Sequence, residues 1–324
     1  FTPSSKGKKG EKLKIFDCNT PTSNILLVGY LVVLALLLVF GFGRPTEQGQ
    51  RGTPTAIYEY STIFFIVGYY FFCKSKVYKV VSTVLLLLYC LQNLVFGGRI
   101  TALQLFLLLF FVLYDGKQIH WVKIIPIGLI GLLIFSGIGE MRANFSLSFS
   151  SLEASFNAIL KSAGTLDTAY SAYYTSLTFL KVEKFVSTSD RLLLFWAFIK
   201  SIILGGSVPN SSLAKFTMQY YQHYEGGILP FFGQFYLGSV GVIIFSLIVV
   251  VYFFIMQRLD ANSSGFKKCL VVYITITTPR WYLYSPSQLL RGVLLLFIVF
   301  YVMKFACNMF IKSNQNILDN ENGK

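Results

Sequence analysis

The chain alternates between long apolar runs and short charged stretches, and the lengths of the runs predict its elements. A helix needs about 20 mostly apolar residues to cross the hydrocarbon core of a bilayer. Runs near that length extend from Asn24 to Phe42, Ile57 to Cys73, Val77 to Phe96, Ile100 to Tyr114, Trp121 to Gly139, Ile228 to Met256 and Leu289 to Phe310, with a shorter one from Cys269 to Thr278. This pattern predicts an all-α polytopic membrane protein with about eight transmembrane helices. Between residues 140 and 227 the character changes: Ser, Thr and Tyr interrupt weakly amphipathic patterns, over a length too great for a simple connection. A large extracytoplasmic loop with short helices of its own is expected there.

Sidedness follows from the basic residues. Lys6, Lys8, Lys9, Lys12 and Lys14 make 1–23 a basic tail or loop, which the positive-inside rule assigns to the cytoplasm, and Lys74, Lys76, Lys117 and Lys123 anchor later turns on the same side. Within the large loop, Leu192 to Leu204 is apolar apart from Lys200. As a helix it would be about 20 Å long, short of the ~30 Å core, and its crossing would turn Arg258, Lys267 and Lys268 outward against the rule. It is therefore read as non-spanning. The expected divisions are a cytoplasmic tail or loop at 1–23, helices one to five in 24–139, the extracytoplasmic loop at 140–227, helices six to eight in 228–312, and a cytoplasmic tail at 313–324. The chain opens without Met in a polar segment, which fits a piece of a longer protein preceded by further spans.

Composition agrees with a bilayer as solvent: 54% of the 324 residues are hydrophobic, 17% are aromatic, and the mean hydropathy is +0.61. The net charge of +14 raises the question of nucleic acid, but the basic residues are scattered between apolar runs, with no basic domain to track a phosphate backbone. The five cysteines (Cys18, Cys73, Cys90, Cys269 and Cys307) lack paired metal-ligand spacing and read as small membrane-embedded hydrophobes. No metal cluster, nucleotide-phosphate loop, nucleophile elbow or paired-carboxylate motif is evident, so neither metal nor cofactor is expected.

On the expected topology, lysine and arginine separate. Most lysines are cytoplasmic, whereas Arg44, Arg51, Arg99, Arg142, Arg191, Arg280 and Arg291 are external, Arg258 being the exception. Orientation alone does not demand this, because both residue types serve the positive-inside rule. Arginine's planar fork suits it to gripping phosphate in a partly desolvated site. Arg99 follows a glycine pair between two spans, Arg142 follows the fifth span by three residues, Arg280 ends a short apolar run, and Arg291 enters the next helix. Two readings stand: interfacial anchors reaching to headgroups, or a shared site for a membrane-borne phosphate or diphosphate.

One further stretch carries acid–base potential, Gln222-His223-Tyr224-Glu225-Gly226-Gly227, at the mouth of the run that begins at Ile228. A neutral imidazole accepts a proton from a sugar hydroxyl, which makes His223 a candidate general base. Glu225 and Tyr224 are candidates to orient the ring or contact substrate, and the glycines let backbone approach a ligand closely. The plain alternative is a surface histidine in a loop. The other histidine, His120, sits with Lys117 and Lys123 and reads as an interfacial residue.

Gly97-Gly98-Arg99-Ile-Thr-Ala-Leu103, Gly139-Glu-Met-Arg142, and His223-Tyr224-Glu225-Gly-Gly-Ile-Leu-Pro230 followed by Phe235-Tyr236-Leu-Gly-Ser-Val-Gly241 resemble the bacterial oligosaccharide repeat-unit polymerases. These are the Wzy-type enzymes of O-antigen and capsule assembly, related to the O-antigen ligases. The resemblance covers roughly residues 77–310 and rests on topology more than on identity. It implies a GT-C-like, metal-independent glycosyltransferase at the outer face of the bacterial plasma membrane. Its donor and acceptor would be undecaprenyl-diphosphate-linked oligosaccharides, with a chain-length regulator and a flippase as further partners. By this resemblance Arg99, Arg142, Arg280 and Arg291 would hold the diphosphate, and His223 would be the base on the acceptor hydroxyl. The family has ten or more spans where eight are counted here.

Alternatives are an O-antigen-ligase-like transferase and a flippase or transporter of the same lipid-linked glycan. A flippase calls for charge along a central pathway, whereas these charges gather at one membrane face. A membrane O-acyltransferase would need a second catalytic partner for His223, and none is evident.

Overall fold

A computed structural model describes residues 14–17, 23–43, 53–96, 99–117, 122, 125–126, 168–223 and 226–322. Nearly all of the expected fifth span, the start of the large loop, His120, Arg142, Tyr224 and Glu225 lie outside these residues.

The described chain is helical apart from one short ribbon. Helix α1 is Asn24–Phe40, and Ser23 caps it by accepting a hydrogen bond from the Ile25 amide. Strands β1 (Phe42–Gly43) and β2 (Thr53–Pro54) pair antiparallel, Phe42 opposite Pro54 and Gly43 opposite Thr53. Helices α2 (Ala56–Glu59), α3 (Ser61–Phe71), α4 (Lys76–Phe96) and α5 (Arg99–Tyr114) follow. After the undescribed segment come α6 (Thr168–Glu183), α7 (Thr188–Leu204) with a 3-10 turn at Gly205–Ser207, and α8 (Leu213–Thr217). The last three helices are α9 (Leu229–Gln257), α10 (Gly265–Leu283) and α11 (Pro286–Asn322).

Helix α3 is the hub. It is apolar all round and buried over nearly its whole length, packed against α4, α5, α10 and α11. A helix with no polar face must be enclosed or lie in lipid, and α3 is enclosed. Its neighbours are apolar on their outer faces too. Val77, Val80, Val84, Leu87 and Leu91 form an exposed stripe on α4, and Phe297, Tyr301 and Phe305 form another on α11. In water such stripes would be unfavourable; hydrocarbon accepts them. Among the described residues, three helices are long and apolar enough to cross a membrane: 76–94, 229–257 and 286–310. The helices at 24–40, 61–71 and 100–114 are apolar but shorter.

Two expected spans differ in shape from the sequence reading. The run from Ile228 to Met256 is not one straight crossing, because α9 breaks at Gly238 (φ 63°, ψ −150°). A Cβ on Gly233 would stand 2.4 Å from the Gly241 carbonyl oxygen, and one on Gly241 would stand 2.0 Å from that of Gly233. Residues eight apart on a straight helix are separated by about 12 Å, so the arm 229–237 folds back on the arm 239–257. Only the second arm, about 28 Å long, matches the bilayer core.

Helix α10 is longer than the ten-residue run from Cys269 to Thr278 suggested. It begins at Gly265, includes Lys267 and Lys268 in its first turn, and continues past Pro279 and Arg280 to Leu283. Thr277 and Thr278 donate their hydroxyls to the Tyr273 and Ile274 carbonyls, and the Trp281 indole N–H donates to Ile274. These bonds support the turn where proline removes an N–H.

The bundle has two ends. One gathers Lys74, Lys76, Asp115 and the α9–α10 turn, where Gly265 lies against Tyr70. Residues 14–17 dock here too, the Ile15 and Phe16 amides donating to the Asp115 carboxylate at 2.7 and 3.0 Å. The other end gathers the start of α3, the N-terminus of α5, the C-terminus of α10, the N-terminus of α11, and the α6–α8 segment. Below it a buried network ties α2 to α4: Tyr58 donates to Gln92, Asn93 donates to Tyr58, and Gln92 donates to the Leu38 carbonyl of α1. Tyr58, Gln92 and Asn93 thus answer one another's polar groups, whereas Ser61 Oγ at the start of α3 and Gln104 Nε2 on α5 are buried without a partner among the described residues.

Candidate functional site

At the second end, Arg280 and Arg291 converge on Tyr60. Arg280 lies in the last turn of α10, where a cation is favoured by the helix dipole, and its side chain is 16% exposed. It forms an ion pair with Glu59 (Nη2 to Oε1, 3.0 Å) and approaches the Thr101 hydroxyl at 3.4 Å. Arg291, on the second turn of α11, donates from Nε to the Ile202 carbonyl at 3.3 Å and from Nη2 to the Ser201 carbonyl. Those oxygens belong to the last turn of α7, where the Ser201 carbonyl also accepts from the Gly205 amide. The Tyr60 hydroxyl donates to Gln288 at 2.9 Å and lies within electrostatic reach of both arginines. Arg99 begins α5 two residues before Thr101, so its backbone joins the same cluster.

His223 sits on the loop that leads into α9. Its ring is half-buried, edge-on to Phe179 of α6, with Nε2 2.8 Å from the Thr217 hydroxyl at the end of α8. Thr217 Oγ1 also lies 3.0 Å from the Leu213 carbonyl and 3.1 Å from that of Ala214. The hydroxyl thus faces the ring and two carbonyls at once, and the direction of its bond with Nε2 follows the ring tautomer.

The loop and the arginine cluster are joined by Gly226 and Gly227. The Gly227 amide donates to the Leu283 carbonyl at 3.0 Å. Both glycines have positive φ, 114° and 152°. A Cβ on Gly226 would stand 2.9 Å from the Leu283 carbonyl oxygen, and one on Gly227 would stand 2.5 Å from the Phe179 ring. The glycines therefore serve close approach to the protein itself, to α6 and to the end of α10, where the sequence suggested approach to a ligand. Three residues of extended chain span at most about 11 Å, which bounds the distance from the His223 Cα to the Gly226 Cα; Leu283 is one turn past Arg280.

Helix α7 starts and finishes against this same end: Arg191 donates to the Phe235 carbonyl near its start, and Arg291 holds its finish. Glu59 and Thr217 were not singled out in the sequence. Glu59 is legible only as an acid at the head of an apolar run, and Thr217 as a hydroxyl six residues before the histidine. Among the described residues no group of His, Cys, Asp and Glu side chains is arranged to hold a metal. No family model, characterised protein or solved structure matches the chain.

Proposed function

We propose that the chain is a membrane glycosyltransferase that joins lipid-linked oligosaccharide repeat units into surface polysaccharide at the outer face of the bacterial plasma membrane. In this reading the second end of the bundle is the extracytoplasmic one, the architecture is GT-C-like with about eight spans, and the carrier is undecaprenyl diphosphate. The observation that carries the reading is the docking of the His223 loop, through Gly226 and Gly227, onto the helix end that bears Arg280.

The reaction follows from the chemistry of those groups. The acceptor hydroxyl oxygen attacks the anomeric carbon of the donor while the neutral His223 imidazole takes the hydroxyl proton. The bond from that carbon to the diphosphate oxygen breaks, and the diphosphate leaves with the electron pair. Arg280, held ready by Glu59, and Arg99 offset the charge that develops on it. Arg142 belongs to the same role, and Tyr224 and Glu225, which follow the base in the chain, to contact with the sugar. Arg291 contributes charge near Tyr60 while it secures α7.

The test is His223→Ala in membranes supplied with lipid-linked repeat units. Single units should accumulate, polymer should fall by about 100-fold or more, and the protein should keep its melting temperature. A normal ladder of chain lengths from the folded variant would refute the assignment.

A further inference from the structure

The α6–α7 turn holds an open cavity of about 470 Å³ lined by Leu180, Lys181, Glu183, Lys184 and Arg191. Glu183 is already engaged, by Arg191 at 2.7 Å and by the Gln234 amide at 3.2 and 3.3 Å. Its charge is answered there, so Lys181 and Lys184 leave the cavity positive; neither makes an ion pair among the described residues. The cavity adjoins the His223 loop. The Lys181 Nζ lies over the Tyr221 ring at 5.7 Å, two residues from His223, and Phe179, which meets His223 edge-on, is one residue from Leu180. An exposed track leads to it: Tyr170, Tyr173, Tyr174 and Leu177 share the face of α6 that ends in Lys181, and Tyr220 and Tyr221 are exposed beside it. Exposed rings that also carry a hydroxyl offer a flat apolar face and a hydrogen bond together, the combination a sugar ring presents in return.

From this juxtaposition we infer that the α6–α7 cavity is a subsite for an acidic oligosaccharide, with a carboxylate or phosphate of the glycan between Lys181, Lys184 and Arg191 and neighbouring sugars along the tyrosine track. The inference rests on the proposed glycan chemistry of His223 and names the substrate class as acidic. An anchor for anionic phospholipid headgroups would use lysines and the exposed Phe185 and Leu193, but it would need neither a concave site nor an arginine fixed by Glu183 and the Phe235 carbonyl.

The full chain, in nanodiscs of phosphatidylcholine, is titrated calorimetrically with a tetrasaccharide of alternating glucuronate and N-acetylglucosamine and with its carboxyl-reduced form. The acidic sugar should bind about tenfold tighter or more, less so at high salt. The preference should vanish in Lys181→Ala/Lys184→Ala, which leaves the Arg191–Glu183 pair intact and so spares the fold. Equal binding of the two sugars, or an undiminished preference in the double variant, overturns the subsite. Native mass spectrometry with phosphatidylglycerol forms the second arm: lysine-dependent lipid retention without an acidic-sugar preference assigns the cavity to headgroups and overturns it as well. His223→Ala should abolish polymer yet keep the sugar preference. Polymer retained by that variant therefore counts against the base assignment alone, and a missing preference counts against the subsite alone.

Discussion

Glu59 meets Arg280 through an ion pair at 3.0 Å, while Arg291 directs its donors to the backbone carbonyls at the end of α7. Equal charges at one end of the bundle thus have different surroundings, and their substitutions should separate. Arg280→Lys keeps the charge but loses the planar fork, so transfer should fall by about tenfold or more while the melting temperature stays close to normal. Arg291→Ala should instead cost about 1–2 kcal/mol of stability by removing its two hydrogen bonds to the end of α7. Thermal unfolding and polymer yield measured side by side check both, and near-normal yield in Arg280→Lys would identify that residue as an anchor. At this scale the sequence marked both arginines and could not tell them apart, because the difference lies in partners 221 and about 90 residues away in the chain.

The elbow of α9 governs the element scale. Gly238 occupies a backbone region open essentially to glycine, yet a Cβ there would meet nothing within 4 Å. Gly238→Ala should therefore cost only backbone strain, about 1–3 kcal/mol. Gly241→Ala places its Cβ against the Gly233 carbonyl and forces the two arms apart. It should lower the melting temperature more than Gly238→Ala does; the reverse order would mean that the arms are not in contact. The run from Ile228 to Met256 revealed an apolar helix but hid its fold-back, since hydropathy reports composition along a helix and not its direction. The glycines at 233, 238 and 241 were the available signal, and each is also common in ordinary membrane helices.

Across the whole molecule, the proposal requires the His223 loop and the arginine end to face outward together. A single His223→Cys variant should be labelled by a membrane-impermeant maleimide in intact cells. Labelling only after the cytoplasmic side is opened would overturn the orientation and the mechanism with it. The described native cysteines, Cys73, Cys90, Cys269 and Cys307, are buried, which keeps their background low.

Periodicity, run length and composition by themselves determined that this is an α-helical chain with helices apolar enough for a bilayer, because burial in lipid selects residues one helix at a time. They also marked His223, Arg280 and Arg291 as chemistry out of place among apolar runs. Only the tertiary structure decided that α3 is enclosed while its neighbours bear apolar outer faces, that α9 turns back on itself, and that α7 begins and ends at one side. It also supplied Glu59 and Thr217, and it showed that Gly226 and Gly227 fit the loop against Leu283 and Phe179. These depend on which residues meet in space, most of them far apart in the chain, and such contacts leave no period in the sequence that would announce them.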